Sequence, residues 1–333
     1  MRIARRRSVP AGIPSAVIAA AVAAVTLAVV VALSASRVRQ PAQPADGGGV
    51  GGTTLTMADV FGLGGLAALR APNPGGAALP SPVEGNVVVS YYGAPQAPAM
   101  GILGQEPPEQ AADLLAERAA RFRFLTRSWE VRPALHLVYA VAQPDSGTGS
   151  LQYLDDRTVR DFIALARRRG FVVILDLQIG HSNALAEVQH VLPYLREPDV
   201  SVALDPEFAL PSSTKPGERI GSIDAADINA VQAYIAQVTV AERLPKKMLI
   251  VHQFDGSMIT HPEAIQRNPG VDLVIDMDGY GPAAVKVAKY RRYGGAPYAP
   301  YGGIKVFLQH DPDPLSEASL LALEPRPGLI VYQ

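Results

Sequence analysis

The chain of 333 residues contains no cysteine. That absence removes disulfides, thiolate metal sites and acyl anchoring at a lipoprotein cysteine. Tryptophan is scarce too: the single copy, Trp129, precedes the second strand, so no tryptophan closes the last one. Neither sign of charge dominates, with 30 Lys and Arg against 31 Asp and Glu and a net charge of -1. No basic stripe stands out beyond the N-terminus, so a nucleic-acid partner is not expected. No Walker loop, dinucleotide fingerprint or nucleophile elbow is present either. What remains is apolar: 48% hydrophobic against 18% charged residues, ample for one large core.

The N-terminus has its own composition. Residues 1–15 are basic, with Arg2, Arg5, Arg6 and Arg7, and residues 16–34 are almost unbroken apolar sequence. A run of about 18 such residues is near the lower limit for spanning a bilayer. The arginines belong on the cytoplasmic side, which leaves the rest of the chain outside. The competing reading is a signal peptide cleaved at Ala32-Leu-Ser34. Both readings export the protein. Residues 35–85 are a Pro/Gly/Ala-rich disordered linker, interrupted by a short helical pattern at 56–70 with Thr56 as its cap.

From residue 86 to 333 strand and helix patterns alternate. The strands read as 86–91, 134–141, 171–177, 200–204, 248–252, 273–276, 304–308 and 329–332. Between them lie helical patterns at 108–126, 156–169, 183–194, 224–241, 262–268, 281–290 and 314–323. Ile228, Val231, Ile235 and Val238 follow helical spacing, Asp224 is a capping residue, and Gly170 stands where a helix should stop. The strands are continuous Val/Ile/Leu runs, as expected when both faces are buried in a parallel sheet. Eight such units in about 250 residues predict an α/β fold, a single closed (β/α)8 TIM-like barrel. An open doubly wound sheet is the rival, but its glycine-rich phosphate turn is missing after the first strand.

In such a barrel the active site forms where the carboxyl ends of the strands meet their loops. Here those ends turn polar: Tyr91 and Tyr92; Tyr139; Asp176 and Gln178; Asp205 and Glu207; His252 and Gln253; Asp276, Asp278 and Tyr280; Gln309; Tyr332. His181 and His310 fall in the same zone, whereas pairs such as Gly302-Gly303 at the amino ends read as turns. Asp205 and Glu207 are two apart on one strand, so both project from one face. Two adjacent buried acids need compensation, and a carboxyl held near another charge becomes a proton donor near neutral pH. Glycoside hydrolysis uses such a donor at the leaving oxygen.

The Asp205-Pro206-Glu207-Phe208 segment resembles the Asp-x-Glu ending of strand 4 in chitinase-like and muramidase-like barrel glycosidases. The resemblance implies Glu207 as general acid and Asp205 as its assisting carboxylate; from their place at strand ends, Asp176 and Asp276 are further catalytic candidates. The expected substrate contacts are Tyr91, Tyr92, Tyr139, Gln178, His252, Gln253, Asp278, Tyr280, Gln309 and Tyr332. The expected partner is a cell-envelope glycan or another small polar substrate, with no cofactor. Two alternatives use the same ring. One is a hydrolase with a divalent metal held by Asp176, Glu207, His252, Asp276 and His310. The other is a barrel that binds glycan without turnover.

Overall fold

A computed structural model describes residues 81–95, 97–126, 128–143 and 151–333. The expected membrane or signal segment, most of the linker and the 56–70 helix lie outside the described residues. Eight parallel strands close into a barrel: β1 Asn86–Gly93, β2 Glu130–Ala142, β3 Val172–Gly180, β4 Val200–Ala209, β5 Lys247–His252, β6 Val271–Met277, β7 Tyr301–Val306 and β8 Leu329–Tyr332. Each pairs with the next in sequence, and β8 returns to pair with β1. The fold is a closed, TIM-like α/β barrel, as the alternation of apolar strands and helices predicts. A short strand, Leu151–Tyr153, pairs antiparallel with the end of β2.

The helices start either at a side-chain cap or at a proline. They are α1 Pro108–Leu125, α2 Asp156–Arg169, α3 Ala184–His190, α4 Ala225–Ala241, α5 Ala283–Tyr293 and α6 Glu317–Leu321. Asp224 and Asp227 form a reciprocal capping box at the start of α4, and the predicted stripe Ile228, Val231, Ile235 and Val238 is buried. Gly170 ends α2 in the left-handed conformation at φ 67°. Asp155, one residue earlier than the predicted start, caps α2 by accepting from the Thr158 amide at 2.9 Å.

Three expectations are corrected. The helix expected at 262–268 is only a 3-10 turn, Pro262–Ala264. Side chains of α4 hold the backbone beyond it: Asn229 accepts from the Gln266 amide and Gln232 donates to the Gln266 carbonyl. The helix expected at 183–194 splits into α3 and a single turn, Leu192–Leu195. Pro193 lacks the amide that would continue it. Gly302 and Gly303, read as a turn, lie inside β7.

Strand alternation divides the interior into two layers. Outward residues such as Val89, Leu137, Leu175, Leu204 and Ile275 pack under the helices. Inward residues such as Val88, Val138, Ile174, Ala203, Ile250, Val274 and Val331 fill the barrel. Gly303 faces Asp276 across the β6–β7 pairing. A Cβ on Gly303 would stand 2.6 Å from Asp276 Oδ1 and 3.1 Å from its Cα. Glycine therefore opens the space that the buried carboxylate occupies. Gly303→Ala should lower stability by about 1–3 kcal/mol through overcrowding. Guanidinium unfolding of the two proteins checks this, and an unchanged midpoint would contradict it.

Candidate active site

The inward alternation of the strands carries polar side chains into the carboxyl mouth of the barrel. Register sets their neighbours: Tyr92 pairs with His136, Gln178 with Asp205, and His252 with Asp276. Asp176 pairs with Ala203, one inward step below Asp205. The result is two tiers.

The lower tier is closed to solvent. His252 is its hub: Nδ1 donates to Asp276 Oδ2 at 3.0 Å and Nε2 donates to Asp176 Oδ2 at 3.2 Å. Burial alone would push the His252 imidazole down, yet Asp176 and Asp276 at its two nitrogens carry it well above the ordinary histidine range. Burial likewise pushes Asp176 up, but His252 brings it below the usual carboxylate range. Asp276 moves the other way: burial outweighs its bond to His252 and raises it. His136 stacks on His252 with centroids 5.8 Å apart and meets the edge of Tyr92 at 5.0 Å. Burial lowers its pKa to about 3, which leaves it neutral.

The upper tier opens into a pocket of about 700 Å³, counting its mouth. Asp205 and Glu207 line it, with Asp278, Lys305 and Gln178 beside them and Met100, Phe208, Phe254, Tyr280 and Phe307 as apolar walls. Asp205 Oδ1 accepts the Glu207 amide at 3.1 Å. Burial, reinforced by the charges of Asp176 and Asp278, pushes Asp205 up to about 7. Burial and then Asp205 raise Glu207 well above the carboxylate range. Lys305 Nζ binds Asp278 Oδ2 at 3.2 Å and sits 3.5 Å from the centre of the Tyr92 ring. Burial followed by the carboxylates around it raises the Tyr92 phenol well above its ordinary value.

The rim is braced from behind. The buried Lys286 ammonium donates to the Gly279 and Lys305 carbonyls, both at 2.7 Å, and pairs with Asp311 at 2.9 Å. Asp311 in turn accepts the Gly281 and Phe307 amides. The loops after β6 and β7 are thereby fixed to each other.

The structure brings Tyr92, Asp176, Gln178, Asp205, Glu207, His252, Asp276, Asp278 and Tyr280 to this end of the barrel. It does not bring Tyr91, Tyr139 and Tyr332 into the pocket, because strand parity turns them into the outer layer. Tyr91 donates to the Leu114 carbonyl, Tyr139 packs against Tyr194, and Tyr332 lies under the Arg118 guanidinium. Gln309 is exposed and does not line the pocket. Gln253 is buried beside it, accepting the Tyr298 hydroxyl at 3.0 Å. His181 contacts the Thr214 carbonyl, and the loop at 210–221, long enough to form a flap, does not line the pocket. The sequence reading missed His136 and Lys305. Each is a lone polar residue on the inward face of an apolar strand, which was the available signal.

His136, Asp176 and His252 are the described residues grouped closely enough to hold a metal ion. Of the expected metal ring, only Asp176 and His252 belong to that group; Glu207 and His310 face the pocket. No protein-family model matches the chain, and a search of curated proteins gives no match. Among the described residues no helix is long and apolar enough to cross a membrane.

The raised Asp205 pKa has a defined consequence for stability. In solution its value is 3.8, and in the fold it is about 7. The folded state therefore holds the proton more tightly, so its stabilising effect is complete below pH 4 and is lost as pH rises toward 7. Asp205→Asn should flatten the fall in urea midpoint between pH 4 and 7; a slope equal to that of the parent protein would refute the assignment.

Proposed function

We propose that this barrel is a glycoside-hydrolase-like enzyme in which Glu207 is the general acid and Asp205 its assisting carboxylate. The observation that carries the reading is the Asp205–Glu207 pair at the floor of an apolar-walled pocket, with Glu207 held well above the carboxylate range. A carboxyl that keeps its proton at neutral pH can protonate a leaving glycosidic oxygen. Asp205, which accepts the Glu207 backbone amide and whose charge raises the Glu207 carboxyl, is the assisting group. Tyr280 and Phe307 offer flat apolar faces suited to a sugar ring, and Gln178, Asp278 and Lys305 offer partners for hydroxyl groups. Asp278 also supplies negative charge toward the electron-poor ring centre that develops as the bond breaks.

The basic, apolar N-terminus points to export, so a cell-envelope glycan is the substrate class we favour. The test is reducing-end release from envelope glycans by the purified protein, followed by single variants. Glu207→Gln should lower kcat by roughly 10²–10⁴, the usual contribution of a positioned acid. The parent activity should decline as pH rises through the Glu207 titration, because only the protonated form donates. Glycan binding without hydrolysis by the parent protein would instead assign a binding module. A Glu207→Gln rate equal to the parent's would remove Glu207 from the mechanism.

A further inference from the structure

Beneath the acid pair lies a grouping that proton donation does not use. His136, Asp176 and His252 each offer one ligand atom, and these atoms lie within 4.8 Å of one another. His136 is fully buried, and among the described residues neither of its ring nitrogens nor Asp176 Oδ1 has a hydrogen-bond partner. An idle imidazole in a barrel interior is costly, and buried polar groups normally find partners. Its Nε2 is turned toward Asp176 Oδ2, 3.7 Å away and just beyond bonding range.

His252 is prepared differently. Its Nδ1 is held by Asp276 at 3.0 Å, leaving Nε2 aimed at Asp176 at 3.2 Å. A histidine whose far nitrogen is fixed by a carboxylate is the arrangement that orients a metal-ligating imidazole. The electrostatics favour a cation as well. Asp176, Asp276 and Asp278 approach His252 at 3.2, 3.0 and 3.5 Å, and the ammonium of Lys305 is engaged by Asp278 at 3.2 Å.

We propose that His136 Nε2, Asp176 and His252 Nε2 form a binding site for a divalent first-row transition metal such as Zn²⁺. Two imidazoles and one carboxylate suit that class, whereas Mg²⁺ and Ca²⁺ favour all-oxygen sites. The donor separations of 3.2 and 3.7 Å are close to the roughly 3.3 Å expected between ligands of one tetrahedral zinc ion. Binding displaces the proton shared by His252 and Asp176, which leaves to solvent. Asp276 is the outer carboxylate that holds His252 in place.

The experiment uses the full-length protein, stripped with chelator and titrated with Co²⁺ and then Zn²⁺. The parent should take up one equivalent of Co²⁺ with visible absorption bands, and Zn²⁺ should displace it. His136→Ala and Asp176→Asn should each weaken binding at least 100-fold, while Asp276→Asn should weaken it by about 10–100-fold, as outer partners do. His136→Gln, which retains a polar group, is the second variant should His136→Ala not fold. His261→Ala, at the surface pair with Asp224, should bind like the parent. Failure of the parent to bind stoichiometrically overturns the site. So does parent-like binding in the folded His136 variant, or loss of binding in His261→Ala. The readout needs no turnover, so its outcome is separate from that of the glycan assay.

Discussion

Everything at the carboxyl mouth follows from an excess of acid inside an apolar cylinder. Five carboxyls, from Asp176, Asp205, Glu207, Asp276 and Asp278, meet one lysine and one hub histidine. Each uncompensated buried charge would cost several kcal/mol. The fold resolves this by position. Asp278 is given Lys305, Asp176 is given His252, and burial pushes the remaining three toward their neutral forms. A retained proton on Glu207 is thus a product of charge balance rather than of any one contact. Because Asp205 and Glu207 line one pocket and the charge of Asp205 raises Glu207, altering either changes the proton affinity of the other.

Parity along the strands decides which residues take part. Tyr91 and Tyr92 are neighbours in sequence with similar burial, yet one braces a helix and the other covers a buried ammonium. The period of two makes this difference legible once the register is known. The eight-unit plan, the capping of α4 and the convergence of Asp176, Asp205, Glu207, His252 and Asp276 could all be read from apolar runs that end in polar residues. Tyr139 and Tyr332 could not be placed in this way, because proximity to a strand end says nothing about which face a side chain takes. In β2, a register shift between Val138 and Ala140 adds a change of phase that composition does not announce.

His136 and Lys305 escaped for a related reason. Attention to strand ends favours the last polar residues, whereas these two sit within apolar runs, one inward step deeper. A polar group at such a position is buried and must answer to its neighbours inside the barrel. Lys305 does so through Asp278 and the Tyr92 face. His136 does so through ring contacts and the 3.7 Å approach of its Nε2 to Asp176, and among the described residues its nitrogens have no hydrogen-bond partners. Gly303 is the converse case: an absent side chain, read as a turn, is what leaves room for Asp276 in a central strand.

The two tiers are coupled by charge, and the sign of that coupling matters. With Asp176 ionised beneath it, Asp205 is raised, and Asp205 in turn helps to raise Glu207. The lower tier therefore acts on the proposed proton donor without touching substrate. A divalent cation at His136, Asp176 and His252 would add positive charge where Asp176 now adds negative. Asp205 would then ionise more readily, and its charge would act more strongly on Glu207. Because the lower tier is buried, its charges act on Asp205 with far less screening than exposed ones would. The same few inward positions thus determine both the integrity of the barrel mouth and the acidity available within it.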